Sequence, residues 1–424
     1  MGDVLCPVRS RQMQALIIAV LVVVISGVVT AQNYPFTILH TFGAEGDGDG
    51  PSSAVLFDAT GNVYGAALGG GNATCRDGCG LVYELSPQDD GSWSEAVLYS
   101  FTGGDDGYYP DGGPTTDLSG NLFGVTQFGG ATDWGTVFEL SPARGGWQKT
   151  TLYSFCPMFP DCSDGKIPTN GLVLDPLGNL YGTAGNVAYQ LSPGPAGWTE
   201  TVLYTFCSQP HCTDGDIPGA LVRDGAGNLY GSTERGGAHG RGVIFRLRPK
   251  PAGGWAYLVL YNFQGGSDGE SPNAVSLHDK ALYGTTANGG GSSLCTDGCG
   301  TVFELSPTHD GQPVETVLYR FGNAAQGIVP QGPVAFGEAQ TIYGVTSYGG
   351  TGCGGGCGVV FELRPVSGNW QYQAVHQFNG QDGVLPQDVS SDSRGRIYGT
   401  TLGGGAPYYG GVVFEISPPQ PTAK

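Results

Sequence analysis

Acidic side chains recur at one position of the sequence, and carboxylates at a regular interval have the chemistry to hold a cation. Six copies of the segment Asp-Gly-x-x-Pro are present, and a seventh copy carries Gln in place of Asp. If the fold gathers these segments around a central channel, the side chains form a ring at its mouth that suits Ca²⁺, a hard cation with oxygen ligands. The seven residues are Asp47, Asp106, Asp164, Asp214, Asp268, Gln326 and Asp382.

The same motif also has a purely structural interpretation, which we adopt as the expectation. Asp caps a turn, Gly takes a positive φ and Pro begins a strand, so the motif by itself requires no ligand. We therefore predict no metal and no other cofactor, and Ca²⁺ stays open as the alternative.

Cysteine is the second residue type with a regular arrangement. Of the eleven cysteines, ten fall into five pairs whose members lie four to six positions apart. Such close pairs are typical of local disulfides in an exported protein. Zinc is the competing interpretation, but no histidine accompanies the pairs consistently. The predicted disulfides are Cys75–Cys79, Cys156–Cys162, Cys207–Cys212, Cys295–Cys299 and Cys353–Cys357.

Residues for catalysis show no comparable order, and we predict no catalytic residues. Most histidines are scattered without a repeating acidic or nucleophilic partner. Glu45, Asp105 and Glu270 lie in predicted loops and could supply paired carboxylates for glycoside chemistry. That reaction depends on a separation between two carboxyl groups, which a sequence does not supply.

The N-terminal residues 1–31 have the three parts of a secretory signal. Arg9 and Arg11 precede an apolar run from Ala15 to Val29, and small residues lead up to Ala31. The run is short for a membrane span, so we predict cleavage after Ala31, no later membrane insertion, and a secreted, extracellular or periplasmic protein. The formal net charge of −19 argues against nucleic acid as a partner.

The elements that must position these residues come from an internal repeat. Seven units follow one another, each with a Leu-Tyr-x-Phe segment such as Leu98–Phe101, then the Asp-Gly-x-x-Pro motif. An aromatic-Gly pair such as Tyr181-Gly182 and a Val-Phe-Glu-Leu segment such as Val302–Leu305 come next. Short Val-, Tyr- and Phe-rich runs between Gly, Pro, Asp and Asn clusters predict four antiparallel strands in each unit. We label them A to D; examples are A at Gly171–Asp175, B at Asn179–Thr183, C at Val302–Leu305 and D at Thr316–Phe321.

We predict an all-β fold, a seven-bladed β-propeller over residues 32–418, with a short disordered tail at 419–424. The first strand, Phe36–Phe42, is a lone strand D, and the last unit has no strand D before Pro418. The N-terminal strand is therefore expected to complete the last blade and close the ring. A monomer is expected.

Strand order also predicts where the loops lie. In an antiparallel four-stranded blade, the B–C and D–A loops emerge on one face, and all ten paired cysteines fall in those loops. Long, stapled loops on one side of a rigid scaffold are the expected place for recognition. Tyrosines in these loops add aromatic surface there: Tyr108, Tyr109, Tyr348, Tyr408 and Tyr409.

The set of motifs resembles the GloVer, or choice-of-anchor, tandem-repeat family of exported bacterial proteins. The resemblance covers about residues 36–418 and is carried by Leu-Tyr-x-Phe, Asp-Gly-x-x-Pro, Gly178–Thr183 and Gly300–Pro307. It implies export and a repeat architecture, and no activity. Two hypotheses follow: a non-catalytic binding protein for glycans or other surface ligands, or a secreted carbohydrate-active enzyme.

Overall fold

A computed structural model describes residues 34–71, 74–308 and 313–417, which form seven antiparallel β-sheets in chain order. The predicted signal at 1–31 and the tail at 419–424 lie outside the described residues. Each sheet is one blade, and its innermost strand lines a central cavity. The predicted seven-bladed propeller, with an N-terminal strand that closes the ring, is confirmed.

The strands of each blade run in sequence order from the inside outwards. The first strand, β1 (Phe36–Thr41), belongs to blade 7. Blade 1 has β2 (Gly48–Pro51), β3 (Leu56–Phe57), β4 (Val63–Gly70), β5 (Leu81–Pro87) and β6 (Trp93–Ser100). Blade 2 has β7 (Tyr108–Thr116), β8 (Leu122–Phe128), β9 (Thr136–Ala143) and β10 (Gly146–Ser154). Blade 3 has β11 (Pro168–Leu174), β12 (Leu180–Ala184), β13 (Val187–Gly194) and β14 (Gly197–Thr205).

The remaining blades follow the same order. Blade 4 has β15 (Asp216–Pro218), β16 (Val222–Arg223), β17 (Leu229–Arg235), β18 (Val243–Pro249) and β19 (Trp255–Asn262). Blade 5 has β20 (Gly269–His278), β21 (Ala281–Gly289), β22 (Thr301–Ser306) and β23 (Val314–Arg320). Blade 6 has β24 (Ile328–Phe336), β25 (Ile342–Tyr348), β26 (Val359–Val366) and β27 (Asn369–Gln377). Blade 7 has β28 (Val384–Ser391), β29 (Ile397–Gly403), β30 (Val412–Ile416) and β1.

Helical structure in the described residues is confined to four short 3₁₀ turns, at Gly104–Asp106, Pro210–Cys212, Ala324–Gln326 and Glu338–Gln340. Within the described ranges, no helix has the length and apolar character needed to cross a membrane. In blades 1 and 4 the innermost strand is interrupted, so its two pieces pair separately with the second strand.

The aromatic-Gly pair fixes the packing of the second strand on the third. In blade 2, Gly124 of β8 pairs with Phe138 of β9, and the phenyl ring lies across the glycine. A Cβ on Gly124 would stand 2.5 Å from Cζ of Phe138, so only glycine leaves room for the ring. The same contact recurs in all seven blades, which explains why the pair repeats.

A second set of contacts joins each blade to the next. In blade 2, Gly135 precedes β9 with a φ of +100°, and its carbonyl accepts the N–H of Phe155 at 3.0 Å. Pro168 of blade 3 packs against this glycine, and Ile167 donates its N–H to the carbonyl of Trp134 at 2.8 Å. Ile167 has a φ of +50°, an unusual conformation for a β-branched residue, and the N–H bond offsets its cost.

Blade 3 lacks a long B–C loop, and a side chain replaces the missing backbone. Asn186 accepts the N–H of Ile217 on its Oδ1 at 3.2 Å and donates its Nδ2 to Asp216 at 2.7 Å. Its own carbonyl accepts the N–H of Phe206 at 2.8 Å. One residue thus supplies the acceptors that a full loop supplies elsewhere.

Closure of the ring depends on β1. Its backbone pairs antiparallel with β30, from Phe36 opposite Ile416 to Thr41 opposite Val412. Leu39 is buried, and Phe42 is fully buried against Tyr83 of blade 1, with ring centroids 5.0 Å apart. The chain therefore returns to its start through hydrogen bonds and apolar packing together.

Candidate functional site

A cavity of about 580 Å³ lies inside the ring of innermost strands. Every blade contributes the short segment that follows its motif proline, so the lining is assembled from seven distant stretches of sequence. No aromatic or basic side chain is among the lining residues. The polar side chains that line it come from Ser52, Ser53, Asp111, Thr169, Asn170, Glu234, Asn273, Ser276, Gln331, Gln387 and Asp388.

Two of the three carboxyl groups in the lining flank blade 1. Asp111 accepts hydrogen bonds from the N–H of Gly112 at 2.7 Å and from Gln127 Nε2 at 2.9 Å. Asp388 accepts the N–H of Val389 at 2.6 Å and a second backbone N–H from Ala54. Burial nevertheless raises the pKa of Asp388 to about 7, so this carboxyl group is largely protonated in mild acid.

The seven residues of the Asp-Gly-x-x-Pro position lie elsewhere. None is among the residues that line the cavity. Each accepts a hydrogen bond from the Tyr or His of the preceding Leu-Tyr-x-Phe segment, on the outermost strand of the neighbouring blade. The bonds run from Tyr99 to Asp106, Tyr153 to Asp164, Tyr204 to Asp214, Tyr261 to Asp268 and Tyr319 to Gln326, with His40 beside Asp47 and His376 beside Asp382.

The position of these carboxylates has a local cause. Between the motif Asp and the motif Pro, the chain passes through Gly and a residue with a φ near +55°, as at Gly107 and Tyr109. The backbone therefore turns at the first residues of the innermost strand, and the Asp side chain is hydrogen-bonded to the outermost strand of the preceding blade. In the described residues, no group of three or more His, Cys, Asp or Glu side chains is arranged to hold a metal ion.

The five predicted disulfides are confirmed. Cys75–Cys79, Cys295–Cys299 and Cys353–Cys357 close B–C loops, and Cys156–Cys162 and Cys207–Cys212 close D–A loops. The two kinds of loop lie side by side, since the N–H of Tyr109 donates to the carbonyl of Cys79 at 2.9 Å. We call the surface formed by these loops the stapled face.

An aromatic patch stands out on the stapled face over blade 2. Trp134 stacks on Phe159 with ring centroids 5.9 Å apart and an interplanar angle of 14°. Tyr108 stacks on Phe128 at 5.4 Å, and Tyr109 meets both rings edge-on. Phe159 is 64% exposed, although it lies in the loop closed by Cys156–Cys162. We refer to these five residues as the aromatic patch.

A backbone contact connects the patch to the segment that enters the cavity wall. The carbonyl of Trp134 holds the N–H of Ile167, two residues before Thr169 of the cavity wall. Tyr109 occupies the position in blade 2 that Ile217 occupies in blade 4, and Ile217 itself lines the cavity. Lys166 adds a cation, since its Nζ lies 5.1 Å from the Trp134 ring centroid. The loop that carries Trp134 is therefore hydrogen-bonded to the chain segment that leads into the cavity wall at Thr169.

The other predicted residues are placed apart from the cavity. Glu270 pairs with Arg241, and Glu45 and Asp105 are exposed, so none of the three carboxylates lines the cavity. Tyr348, Tyr408 and Tyr409 are exposed on the stapled face over blades 6 and 7, separately from the patch of blade 2. Sequence reasoning missed Asp388, Phe128, Trp134 and Phe159. The signal that could have found them is the departure of single units from the repeat.

The architecture defines the class: a β-propeller of seven four-stranded blades with disulfide-stapled loops on one face. The chain belongs to the Gloeobacter/Verrucomicrobia repeat family, whose sequence model matches residues 26–190, 184–372 and 292–424. This membership confirms the resemblance drawn from the repeated motifs. No curated protein is significantly similar to the chain in sequence.

Solved structures share the fold at low sequence identity. Virginiamycin B lyase from Staphylococcus aureus is 13% identical, with a TM-score of 0.54, and the match covers 91% of this chain and 99% of that one. The GH74 enzyme of Niastella koreensis is 17% identical, with a TM-score of 0.53, and the match covers 87% of this chain and 52% of that one. At these identities the similarity establishes the fold alone.

Proposed function

We propose that this protein is an exported binding protein that takes up a glycan on its stapled face. The observation that carries the proposal is the aromatic patch beside the polar cavity. Sugar rings present apolar faces that stack on aromatic side chains, and hydroxyl groups that need hydrogen-bonding partners. The patch supplies the first, and the amide and carboxyl groups of the cavity wall supply the second.

The scaffold suits such a role. The innermost strands and the disulfide loops hold the site on rigid elements, so little conformational entropy is lost on binding. A volume of about 580 Å³ falls within the ordinary range for small-molecule sites, roughly 300–1,000 Å³, so it can take one or a few sugar units. Five local disulfides fit an oxidising compartment, which supports a secreted, extracellular or periplasmic location.

One observation favours a second candidate, a carbohydrate-active enzyme. Asp388 lines the cavity as a carboxyl group with a pKa raised to about 7, which is the property of a general acid in glycoside hydrolysis. Asp111 stands on the other side of blade 1, in hydrogen bonds that suit a carboxylate. We rank this function second because the aromatic patch, the main observation, supports glycan binding and does not by itself indicate a reaction.

A glycan array probed with the mature protein tests the proposal. The variants Trp134→Ala and Phe159→Ala should lose roughly tenfold or more in affinity for any glycan that the wild type binds. Leu118→Ala is the matched control, because Leu118 is a fully exposed apolar side chain in a turn between an innermost strand and its neighbour, away from the stapled loops.

Three outcomes decide the question. Loss of binding in both patch variants and not in the control supports the proposal. Unchanged binding in the patch variants removes its basis. Release of sugar from any array-positive glycan, abolished in Asp388→Asn, would establish the enzyme instead.

A further inference from the structure

In blades 1 to 6, the motif residue before the blade faces a side chain from the outermost strand of that blade, and the type of that side chain varies. In blade 2 it is Lys149, whose Nζ donates to Asp106 Oδ1 at 3.0 Å. In blades 4 and 6 it is a tyrosine, and Tyr257 and Tyr372 donate to the backbone carbonyls of Asp214 and Gln326. In these three blades the motif residue therefore accepts a hydrogen bond from the outermost strand of the blade that follows it.

Blades 1, 3 and 5 place a second carboxyl group where blades 2, 4 and 6 place a hydrogen-bond donor. The residues are Glu95, Glu200 and Glu315, each four positions before the tyrosine of its strand, as Lys149 is. One oxygen of each, Oε1, is buried and finds no hydrogen-bond partner in the described residues. The carboxyl groups that they face are Asp47, Asp164 and Asp268.

Few positively charged groups lie near each Asp–Glu pair to offset the repulsion between two carboxylates. Around Glu200, the titratable groups that interact with it are Asp164, Tyr153 and Tyr189. Around Glu315 they are Asp268, Tyr261 and the guanidinium of Arg320. Around Glu95 they are Asp47, Tyr83 and His40. Burial first, and the neighbouring Asp second, raise the pKa of Glu200 and of Glu315 to about 7.

The aspartates also hold the D–A loops in place. Asp164 Oδ2 accepts the N–H of Cys156 at 2.9 Å and the hydroxyl of Tyr153 at 2.7 Å, at the start of the stapled loop that carries Phe159. Asp268 accepts the N–H of Gln264 at 2.9 Å in the D–A loop before blade 5, which has no disulfide. Charge repulsion on these aspartates therefore acts directly on the loops of the stapled face.

We propose that the three Asp–Glu pairs form a pH-sensitive latch, in which a proton on each glutamate holds the D–A loop against the next blade. When the glutamate loses its proton, two carboxylates face each other in a half-buried junction, and the contact between loop and blade weakens. This device is independent of the proposed glycan binding, because it acts on the stability of the loops whatever they bind.

The direction of the effect follows from the sign of the pKa shift. The folded-state pKa of Glu200, about 7, lies above its ordinary value of 4.5. Below about pH 4.5 the glutamate is protonated in both the folded and unfolded states, and the pair imposes no penalty. Between about pH 4.5 and 7 the unfolded state releases its proton first, so stability falls as the pH rises. Above about pH 7 the loss is complete.

The test is the melting temperature of the mature protein between pH 4.5 and 8.5, measured as the difference between variant and wild type at each pH. Glu200→Gln removes the charge and keeps the shape. Its melting temperature should match the wild type at pH 4.5 and exceed it by roughly 1–3 °C at pH 8. Glu338→Gln, at an exposed position in a short 3₁₀ turn, is the control and should show no difference that depends on pH.

Lys149→Glu provides the reverse test, because it creates a fourth acidic pair with Asp106. Its melting temperature should fall below the wild type, and the deficit should grow as the pH rises. Hydrogen exchange of the Cys156 amide gives a readout at the loop: its protection factor should drop between pH 5 and 8 in the wild type and stay level in Glu200→Gln.

A difference for Glu200→Gln that is negative, or equal at pH 4.5 and 8, would overturn the proposal. So would a Cys156 protection factor with the same pH dependence in wild type and Glu200→Gln. These results leave the glycan proposal untouched, since they require no ligand.

Discussion

Closure of the ring by β1 can be tested by comparing two equivalent phenylalanines. Phe42 follows β1 and Phe101 follows β6, and both are fully buried at the same position of the repeat. Phe42 packs on Tyr83 with ring centroids 5.0 Å apart, and Phe101 packs on Phe138 at 5.1 Å. If β1 is an ordinary outermost strand, Phe42→Ala and Phe101→Ala should destabilise the protein by the same amount.

The magnitude follows from burial. Replacing a fully buried Phe by Ala costs about 3–5 kcal/mol, through lost transfer free energy and the remaining cavity. Deletion of residues 32–42 removes more, because buried Leu39 and partly buried Phe36 leave with Phe42, at roughly 1.5–3 kcal/mol each. The deletion also exposes the backbone edge of β30. Against a typical total stability of about 5–15 kcal/mol, this loss should unfold or aggregate the protein.

The assay is chemical denaturation of the two point variants, with truncation after Pro418 as the control for the deletion. That truncation should leave stability unchanged, because residues 419–424 belong to no repeat. A Phe42→Ala variant as stable as the wild type, beside a clearly destabilised Phe101→Ala, would refute closure by β1. Equal tolerance of both truncations would lead to the same conclusion.

Three further predictions concern export, the cysteines and blade 3. Mass spectrometry of the exported protein should show an N-terminus at Gln32, and an intact Met1 would count against the signal. Peptide mapping without reduction should link Cys156 to Cys162, and replacing this pair by serine should cost about 2 kcal/mol by the loop-entropy estimate. Asn186→Ala should cost roughly 1–3 kcal/mol in denaturant, because it leaves the N–H of Ile217 unpaired. A variant as stable as the wild type would show that water replaces the amide.

The architecture can be predicted from the sequence because the repeated residues are required by contacts that every blade makes. Gly124 repeats because a phenyl ring lies across it, and Gly135 because the proline of the next blade packs against it. These constraints are identical in every blade, so they appear as a period. Strand number, closure and the side on which the loops emerge all follow from that period.

The location of the motif aspartates could not be predicted from the repeat period. The alternative interpretation, a ring at the channel mouth, assumed that a carboxylate directly before the innermost strand in sequence lies near the channel. A residue with positive φ stands before each proline, and Asp106 is hydrogen-bonded to Tyr99 of an outermost strand instead. A positive φ at Tyr109 or Ile167 has no signal in the sequence, because β-branched and aromatic residues rarely adopt it. The turn is imposed by the neighbouring blade's carbonyl, which is a tertiary contact.

The candidate site could not be predicted from the repeat, because its residues differ from one unit to the next. One residue after each motif proline, the cavity wall is formed by residues of six different types in the seven units: Ser52, Asp111, Thr169, Gly219, Asn273, Gln331 and Gln387. In a ring of equivalent blades, identical side chains at this position would make a wall that is the same on all sides. An asymmetric ligand requires the blades to differ there, and Asp388, the aromatic patch and the loop of blade 3 are all such differences. For this fold, the residues that break the repeat are therefore the ones to mutate first when binding is sought.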